Sequence, residues 1–272
     1  MPELPEVETV CRGIAPHLLN HRIHQVVIRE TRLRWKVSSK KLHQHLTGQP
    51  IISIQRRAKY ILIQVPNGFL VIHLGMSGTL RILPQATPIA KHDHFDCVMT
   101  NGKVLRFNDP RRFGSLLWGE TLEDITPLQK LGPEPLGTAF NGRYLFQQAQ
   151  RHRCAIKNFI MNNHIVVGVG NIYASESLFA AKIHPLTPAH QLTLPMAKRL
   201  CLAIQKVLTA AIAQGGTTLK DFCQSDGNPG YFSLDLKVYD RKNEPCLTCK
   251  SLIQTVRIGQ RMSYFCPFCQ IC

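Results

Sequence analysis

Two cysteine pairs, Cys246-Leu-Thr-Cys249 and Cys266-Pro-Phe-Cys269, stand 16 residues apart near the end of the chain. Each C-x₂-C knuckle turns two thiolates toward one point, and two such knuckles supply the four soft ligands of a tetrahedral Zn²⁺. A closed Cys₄ shell leaves no open coordination position, so one structural rather than catalytic zinc is expected. Cys272 reads as a free thiol, and Cys11, Cys97, Cys154, Cys201 and Cys223 read as core-packing side chains. Ten cysteines in a chain expected to carry no secretory leader point to thiols and a metal, not to a disulfide framework.

A second chemistry is offered at the other end. Pro2-Glu3 follows the initiator Met1, and a small second residue allows Met1 to be removed. The functional chain is then expected to begin with a secondary amine. An α-amino group has a pKa of roughly 8, so about 10% is free base at pH 7, against less than about 0.1% for an ordinary lysine. Attack of such an amine on an aldehyde-level carbon gives an iminium ion, an electron sink, and Glu3 is a neighbouring acid/base. On these residues alone an ordinary Pro-Glu lead into a helix is the favoured reading, and the catalytic one needs support from the rest of the chain.

Basic clusters recur between these ends. Arg32, Arg34 and Lys36 alternate with Leu33, Trp35 and Val37, so an extended segment would show three cations on one face. Arg56-Arg57 with Lys59, Arg111-Arg112, Arg151-His152-Arg153 with Lys157, and Arg257 with Arg261 add more. Singly these are solvated surface; together they suit phosphate contacts. Val166 to Tyr173 contains Gly168 and Gly170 and opens a helix, where backbone N–H groups suit a phosphate. His73-Leu-Gly-Met-Ser-Gly78 breaks a strand with two glycines, a turn that either projects Met76 or buries it.

The elements that must position these residues follow from periodicity. Val7, Val10, Cys11, Ile14 and Leu18 predict a leading helix. Residues 23–118 read as strands: Ile23–Ile28, long Ile/Val/Leu-rich runs at Ile51–Val65 and Phe69–Leu83, and a hairpin of Asp96–Thr100 and Lys103–Asn108 about Asn101-Gly102. Two Pro and two Gly between Leu131 and Gly137 suggest a linker. Helices are predicted over Tyr144–Asn162, Asn171–Lys182 and Leu194–Gln214, then short strands over 238–269. The fold class is therefore α+β: an N-terminal β-sandwich with a leading helix, a helical domain, and a C-terminal Cys₄ hairpin. Domains are expected at 1–132, 141–236 and 237–272, with a linker at 133–140. The 272 residues carry 33 Lys+Arg and 17 Asp+Glu, a net charge of +16, shared as +7 before and +9 after residue 136. Both halves being basic fits one polyanion touching both. No run of 18 apolar residues exists and the first residues are acidic, so neither a membrane span nor a signal peptide is expected. With no heptad or exposed apolar stripe, the chain reads as a monomer.

Several strings, in family order along the whole chain, resemble the bacterial formamidopyrimidine-DNA glycosylases (Fpg, or MutM). They are Met1 to Thr9, Gln55 to Tyr60, His73 to Gly78, Lys91 to His94, Asp109 to Gly114, Val166 to Glu176, Gly215 to Phe222, and the zinc hairpin with Gln260-Arg261. The resemblance implies a base-excision-repair glycosylase and abasic-site lyase acting on double-stranded DNA. Such an enzyme removes 8-oxoguanine opposite cytosine and formamidopyrimidines, then cuts the strand by β,δ-elimination. It implies a helix–two-turn–helix element in the helical domain. By the same resemblance Pro2 is the nucleophile at the sugar C1′ and Glu3 the acid/base. Lys59 moves protons and touches phosphate, and Arg261 binds phosphate and assists δ-elimination. Met76, Arg111 and Phe113 fill the gap left by the everted base. His92, Asn171 and His152, with its flanking arginines, are implied backbone contacts, and Lys220 lies in the loop over the everted base. A cytoplasmic, nucleoid-associated protein is implied. Two rival readings fit the residues less well. The related endonuclease VIII branch usually has Gly where this chain has Leu4 and lacks the Met76–Arg111–Phe113 trio. A non-catalytic zinc-ribbon DNA-binding protein gives no reason for Pro2-Glu3.

Overall fold

The computed structural model describes residues 2–215 and 236–271; Met1, Lys220, Cys223 and Cys272 lie outside them. The described residues form two compact units, one running to Gln129, the other from Lys130 to Gln214 and again from residue 236.

The first unit opens with α1 (Leu4–Leu18), whose Val7, Val10, Cys11, Ile14 and Leu18 are all buried, as the periodicity predicts. Eight strands follow: β1 (Ile23–Ile28), β2 (Ser53–Arg57), β3 (Tyr60–Val65), β4 (Gly68–His73), β5 (Thr79–Pro84), β6 (Asp93–Met99), β7 (Lys103–Asn108) and β8 (Ser115–Gly119). They form two antiparallel four-stranded sheets, ordered β1-β6-β7-β5 and β2-β3-β4-β8. One core joins the α1 stripe to Ile61, Ile63, Leu70 and Ile72 of one sheet and to Phe95, Cys97, Leu105 and Phe107 of the other. This is the predicted β-sandwich with its leading helix.

Three local readings are corrected. The run Ile51–Val65 is two strands: Arg57 pairs with Tyr60, and Ala58, at φ +54°, reverses the chain in a two-residue turn. Within the stretch read as strands, Ser39–Leu46 is a helix, α2, with only Leu42 and Leu46 buried. Arg32, Arg34 and Lys36 do not share an extended face, because Arg32 bridges to Lys36 and the chain folds back between them.

The second unit contains α3 (Gly142–Ala149), α4 (Ile156–Ile160), α5 (Asn171–Ala180), α6 (Leu194–Ala213) and the hairpin of β9 (Gln254–Ile258) and β10 (Arg261–Phe265). The predicted helix over 144–162 is broken. Asn141 caps α3, its side chain accepting from the N–H groups of Arg143 and Tyr144. Residues 152–156 instead pair with 187–190: Ile156 N–H donates to the Thr187 carbonyl, Ala189 N–H to Cys154 and His190 N–H to His152. Those tertiary bonds replace the helical ladder there. Cys201 is buried as expected, but Cys154, in the broken segment, is exposed. Residues 172–178 of α5 are buried on every face, so this is the central helix of the unit. No helix among the described residues is long and apolar enough to cross a membrane.

Candidate functional site

The chain enters α1 through Pro2 and Glu3, both buried. Glu3 N–H donates to Glu6 Oε2 at 2.8 Å, and Val7 N–H donates to the Glu3 carbonyl, closing the first turn. A helix start carries partial positive charge, which favours both carboxylates there. Two contacts bolt α1 to the β2–β3 hairpin: Arg56 Nε to Glu8 Oε2 at 2.9 Å, and the Cys11 thiol to the Gln55 carbonyl at 3.7 Å. They run in opposite sequence directions, so the chain beyond Arg57 approaches the N-terminal end of α1. Arg56 Nη1 also donates to the Ala58 carbonyl at 3.2 Å, fixing the turn that presents Lys59. Pro2, Glu3 and Lys59 are thereby carried on one braced assembly.

His73, to which the sequence reading gave no role, lies across the ladder from Tyr60, with ring centroids 4.9 Å apart. Its Nδ1 faces the Gly75 N–H at 2.9 Å, so the ring accepts there and Nε2 holds the proton. Burial, aided by the nearby charges of Arg34 and Lys59, pushes its pKa down to about 4. The imidazole is neutral at pH 7.

β4 leads into the Gly75–Gly78 turn, and β7 into the Asp109–Gly114 loop. Met76 is projected, 40% exposed, and Phe113 is 46% exposed. The Arg111 guanidinium sits 4.9 Å over the Phe113 ring. The loop is braced through Arg112 at φ +56°, whose Nη1 contacts Glu30 Oε2 at 3.0 Å. Hydrogen bonds from Arg32, with Arg112 contributing, pull the Glu30 pKa down to about 2. His92 precedes β6, its carbonyl accepting from Asp109 N–H at 3.0 Å. Nearby, the buried Arg106 donates to the carbonyls of Thr87 and Pro88, so the segment leading to His92 is also anchored.

In the second unit one buried cation organises the candidates. Lys157 is 1% exposed, which corrects its placement among the surface cations of 151–157. Its Nζ donates to Asn171 Oδ1 at 2.7 Å, to Ser263 Oγ at 2.7 Å and to the Met262 carbonyl at 3.2 Å. Three acceptors suit an ammonium's three donors. Asn171 Nδ2 also donates to Met262 at 3.1 Å. The start of α5 is thus tied to the start of β10, bringing Asn171 and Arg261 together. Arg261 is exposed, beyond a two-residue turn in which Gly259 has φ +60°. His152 packs on Phe159 at 5.2 Å between the exposed Arg151 and Arg153. Glu176 of α5 accepts from the N–H groups of Lys237, Val238 and Tyr239, which fixes the entry to the cysteine-bearing segment.

The four sulfurs of Cys246, Cys249, Cys266 and Cys269 lie within 4.8 Å of one another. Zn–S bonds of about 2.3 Å in a tetrahedron require sulfurs about 3.8 Å apart. The Cys249–Cys266 and Cys246–Cys269 separations of 3.4 and 4.0 Å bracket that value. Thr248 and Cys269 N–H groups point at the Cys246 and Cys266 sulfurs, each at 3.4 Å, as donors that stabilise thiolates. The donor set fits one structural zinc beneath the β9–β10 hairpin.

Comparison with known proteins agrees with this geometry. Residues 1–116 match the formamidopyrimidine-DNA glycosylase N-terminal domain, 131–223 its H2TH domain, and 243–271 the zinc finger found in FPG and IleRS. The chain is 56% identical over 270 residues to the formamidopyrimidine-DNA glycosylases of Escherichia coli O6:H1 and Shigella boydii serotype 18, covering 99% of this chain and all of each relative. The solved MutM (FPG) of Thermus thermophilus superposes with a TM-score of 0.88 at 35% identity, covering 99% of this chain and 98% of that one. Lactococcus lactis Fpg, solved with abasic-site DNA, gives 0.90 at 31%, covering 98% and 99%. A MutM solved with DNA containing carbocyclic 8-oxo-G gives 0.89 at 32%, covering 99% of each chain. The chain belongs to the formamidopyrimidine-DNA glycosylase family.

Proposed function

We propose that this protein is a DNA glycosylase and abasic-site lyase of base-excision repair. Its substrate is double-stranded DNA bearing 8-oxoguanine opposite cytosine, or formamidopyrimidines. The observation that carries this reading is the bracing of the α1 entry, with Pro2 and Glu3, to the turn that presents Lys59. Once Met1 is removed, the Pro2 nitrogen attacks C1′ of the damaged nucleotide as the glycosidic bond breaks, and the base leaves with a proton. Glu3 serves as the acid/base that assists base loss and sugar ring opening. The Pro2 iminium draws electrons from C2′, so loss of a C2′ proton expels the 3′ phosphate, and a second elimination expels the 5′ phosphate. Lys59 moves protons and holds phosphate during these steps. Arg261, on the hairpin that zinc braces, holds phosphate for the second elimination. Zinc, when bound, supplies only cross-linking of the hairpin.

Met76, Arg111 and Phe113 occupy the space of the everted base, with Arg111 facing the orphaned cytosine. His92, His152 and Asn171 contact the backbone, and Lys220 is a further DNA-binding residue. The division into 1–132, a 133–140 linker, 141–236 and 237–272 is part of the same proposal, as is action by a monomer in the cytoplasm on nucleoid DNA. The test is a panel of duplexes carrying 8-oxoguanine or thymine glycol. Excision of 8-oxoguanine, leaving phosphate at both ends of a one-nucleoside gap, is expected. Glu3→Gln should still bind the damaged duplex but excise poorly. Preference for thymine glycol, or full excision by Glu3→Gln, would overturn the assignment.

A further inference from the structure

The two loops that carry the exposed wedge side chains are separate in sequence, yet they interlock. A Cβ on Gly75 would lie 2.5 Å from the backbone of Phe113 and Gly114, so the Met76 turn rests directly on the other loop's main chain. Asp109, wholly buried, spans the junction. Its Oδ1 accepts from the Ser77 hydroxyl at 2.8 Å and its Oδ2 from Gly114 N–H at 2.7 Å. Ser77 Oγ in turn accepts from Arg111 N–H at 3.3 Å. The backbone of Asp109 is pinned as well, its carbonyl receiving Arg112 N–H at 3.2 Å and facing His94 Nε2 at 2.8 Å. One hydroxyl therefore joins the Met76 turn both to the carboxylate that holds Gly114 and to the amide of Arg111.

We propose that Ser77 is a positioning residue for base eversion: its hydroxyl clasps the two loops so that Met76, Arg111 and Phe113 enter the duplex as one preformed wedge. The inference rests on the proposed function. Inserting side chains between base steps must offset the cost of unstacking. A wedge already ordered by its own hydrogen bonds spends none of the binding energy on ordering loops. Without the Ser77 hydroxyl, Asp109 still holds Gly114, but the Met76 turn loses its polar tether. Met76 and Phe113 then lose their common register while Pro2, Glu3 and Lys59 are untouched. An abasic nucleotide has no base to unpair, so its cleavage depends less on the wedge.

The experiment compares single-turnover rates on two duplexes, one with 8-oxoguanine opposite cytosine and one with a preformed abasic site. Ser77→Ala is expected to excise 8-oxoguanine about tenfold more slowly, the scale of one lost hydrogen bond to a charged group, yet to cut the abasic duplex at the wild-type rate. Ser77→Thr, which keeps the hydroxyl, should restore excision. Ser77→Cys, of similar shape with a weaker donor, should fall between, and it carries the test if the alanine variant fails to fold. In a Met76→Ala background, adding Ser77→Ala should slow excision by less than it does alone, because part of what the clasp positions is already gone while its bond to the Arg111 amide remains to be lost. Wild-type excision by Ser77→Ala, equal slowing on both duplexes, or multiplying effects of the two substitutions would each overturn the clasp. A wild-type protein inactive on both duplexes would instead overturn the proposed function, and the clasp's role with it.

Discussion

The two units hold their exposed candidates by opposite means. In the first, a buried anion is the organiser: Asp109 ties the Met76 turn to the Arg111–Phe113 loop. In the second, a buried cation does so: Lys157 ties Asn171 to the hairpin that carries Arg261. Each buried charge is satisfied by hydrogen bonds, as a buried charge must be. The comparison teaches that exposed side chains proposed to meet a polyanion are fixed from behind. They hang from a charge that never meets solvent. The second unit adds a metal to its buried cation, whereas the first relies on backbone packing at Gly75.

Stripping the metal should break the comparison most severely. Structural zinc contributes on the order of 10 kcal/mol or more to small fingers. Chelation is therefore expected to abolish amide-exchange protection in β9 and β10 while the sandwich strands keep theirs. Equal loss in both units would show that they depend on one another for stability.

Lys157→Met comes next. It leaves Asn171 Oδ1 and Ser263 Oγ short of a donor, at about 1–3 kcal/mol for each group left unsatisfied, while the Met262 carbonyl keeps the Asn171 Nδ2 donor. A fall of about 3 kcal/mol in urea unfolding is expected, together with weaker binding to duplex DNA. Unchanged stability would mean that Lys157 is not the organiser.

The first unit answers to pH through His73. An unfolded histidine takes up its proton near pH 6.5, whereas the buried ring of His73 does so near 4. Its contribution is thus fully present above pH 6.5 and is lost as pH falls toward 4, on the order of 3 kcal/mol in all. Stability measured from pH 7 to 4 should fall less steeply in His73→Gln; identical slopes would remove His73 as the cause. The smallest effect is at the cap of α3, where Asn141→Ala should cost about 1 kcal/mol in thermal or urea unfolding.

Much of this was legible in the residues. The α1 stripe and the doubled cysteine spacing each encode a local geometry, a helix period and a metal knuckle, and both are found as read. The glycines around Met76 marked its turn but left open whether the side chain is projected or buried; the fold projects it. What stayed hidden depends on distant partners. Helix α2 offers only Leu42 and Leu46 as apolar signal, too few to mark a period. The break after Ala149 is made by bonds to residues 187–190, which no local pattern announces. Lys157 looked like one more surface cation because its neighbours Arg151 and Arg153 are, and only the fold reveals its three acceptors. His73 showed no period or spacing that separates a buried neutral imidazole from a solvated one.

Borohydride trapping on a duplex with one 8-oxoguanine opposite cytosine tests the central claim most directly. A covalent protein–DNA band, absent in Pro2→Gly and accompanied by an N-terminal mass lacking Met1, is the predicted result. A trapped band that persists undiminished in Pro2→Gly, or damaged DNA bound but left intact by protein whose chain begins at Pro2, would contradict the N-terminal amine as nucleophile.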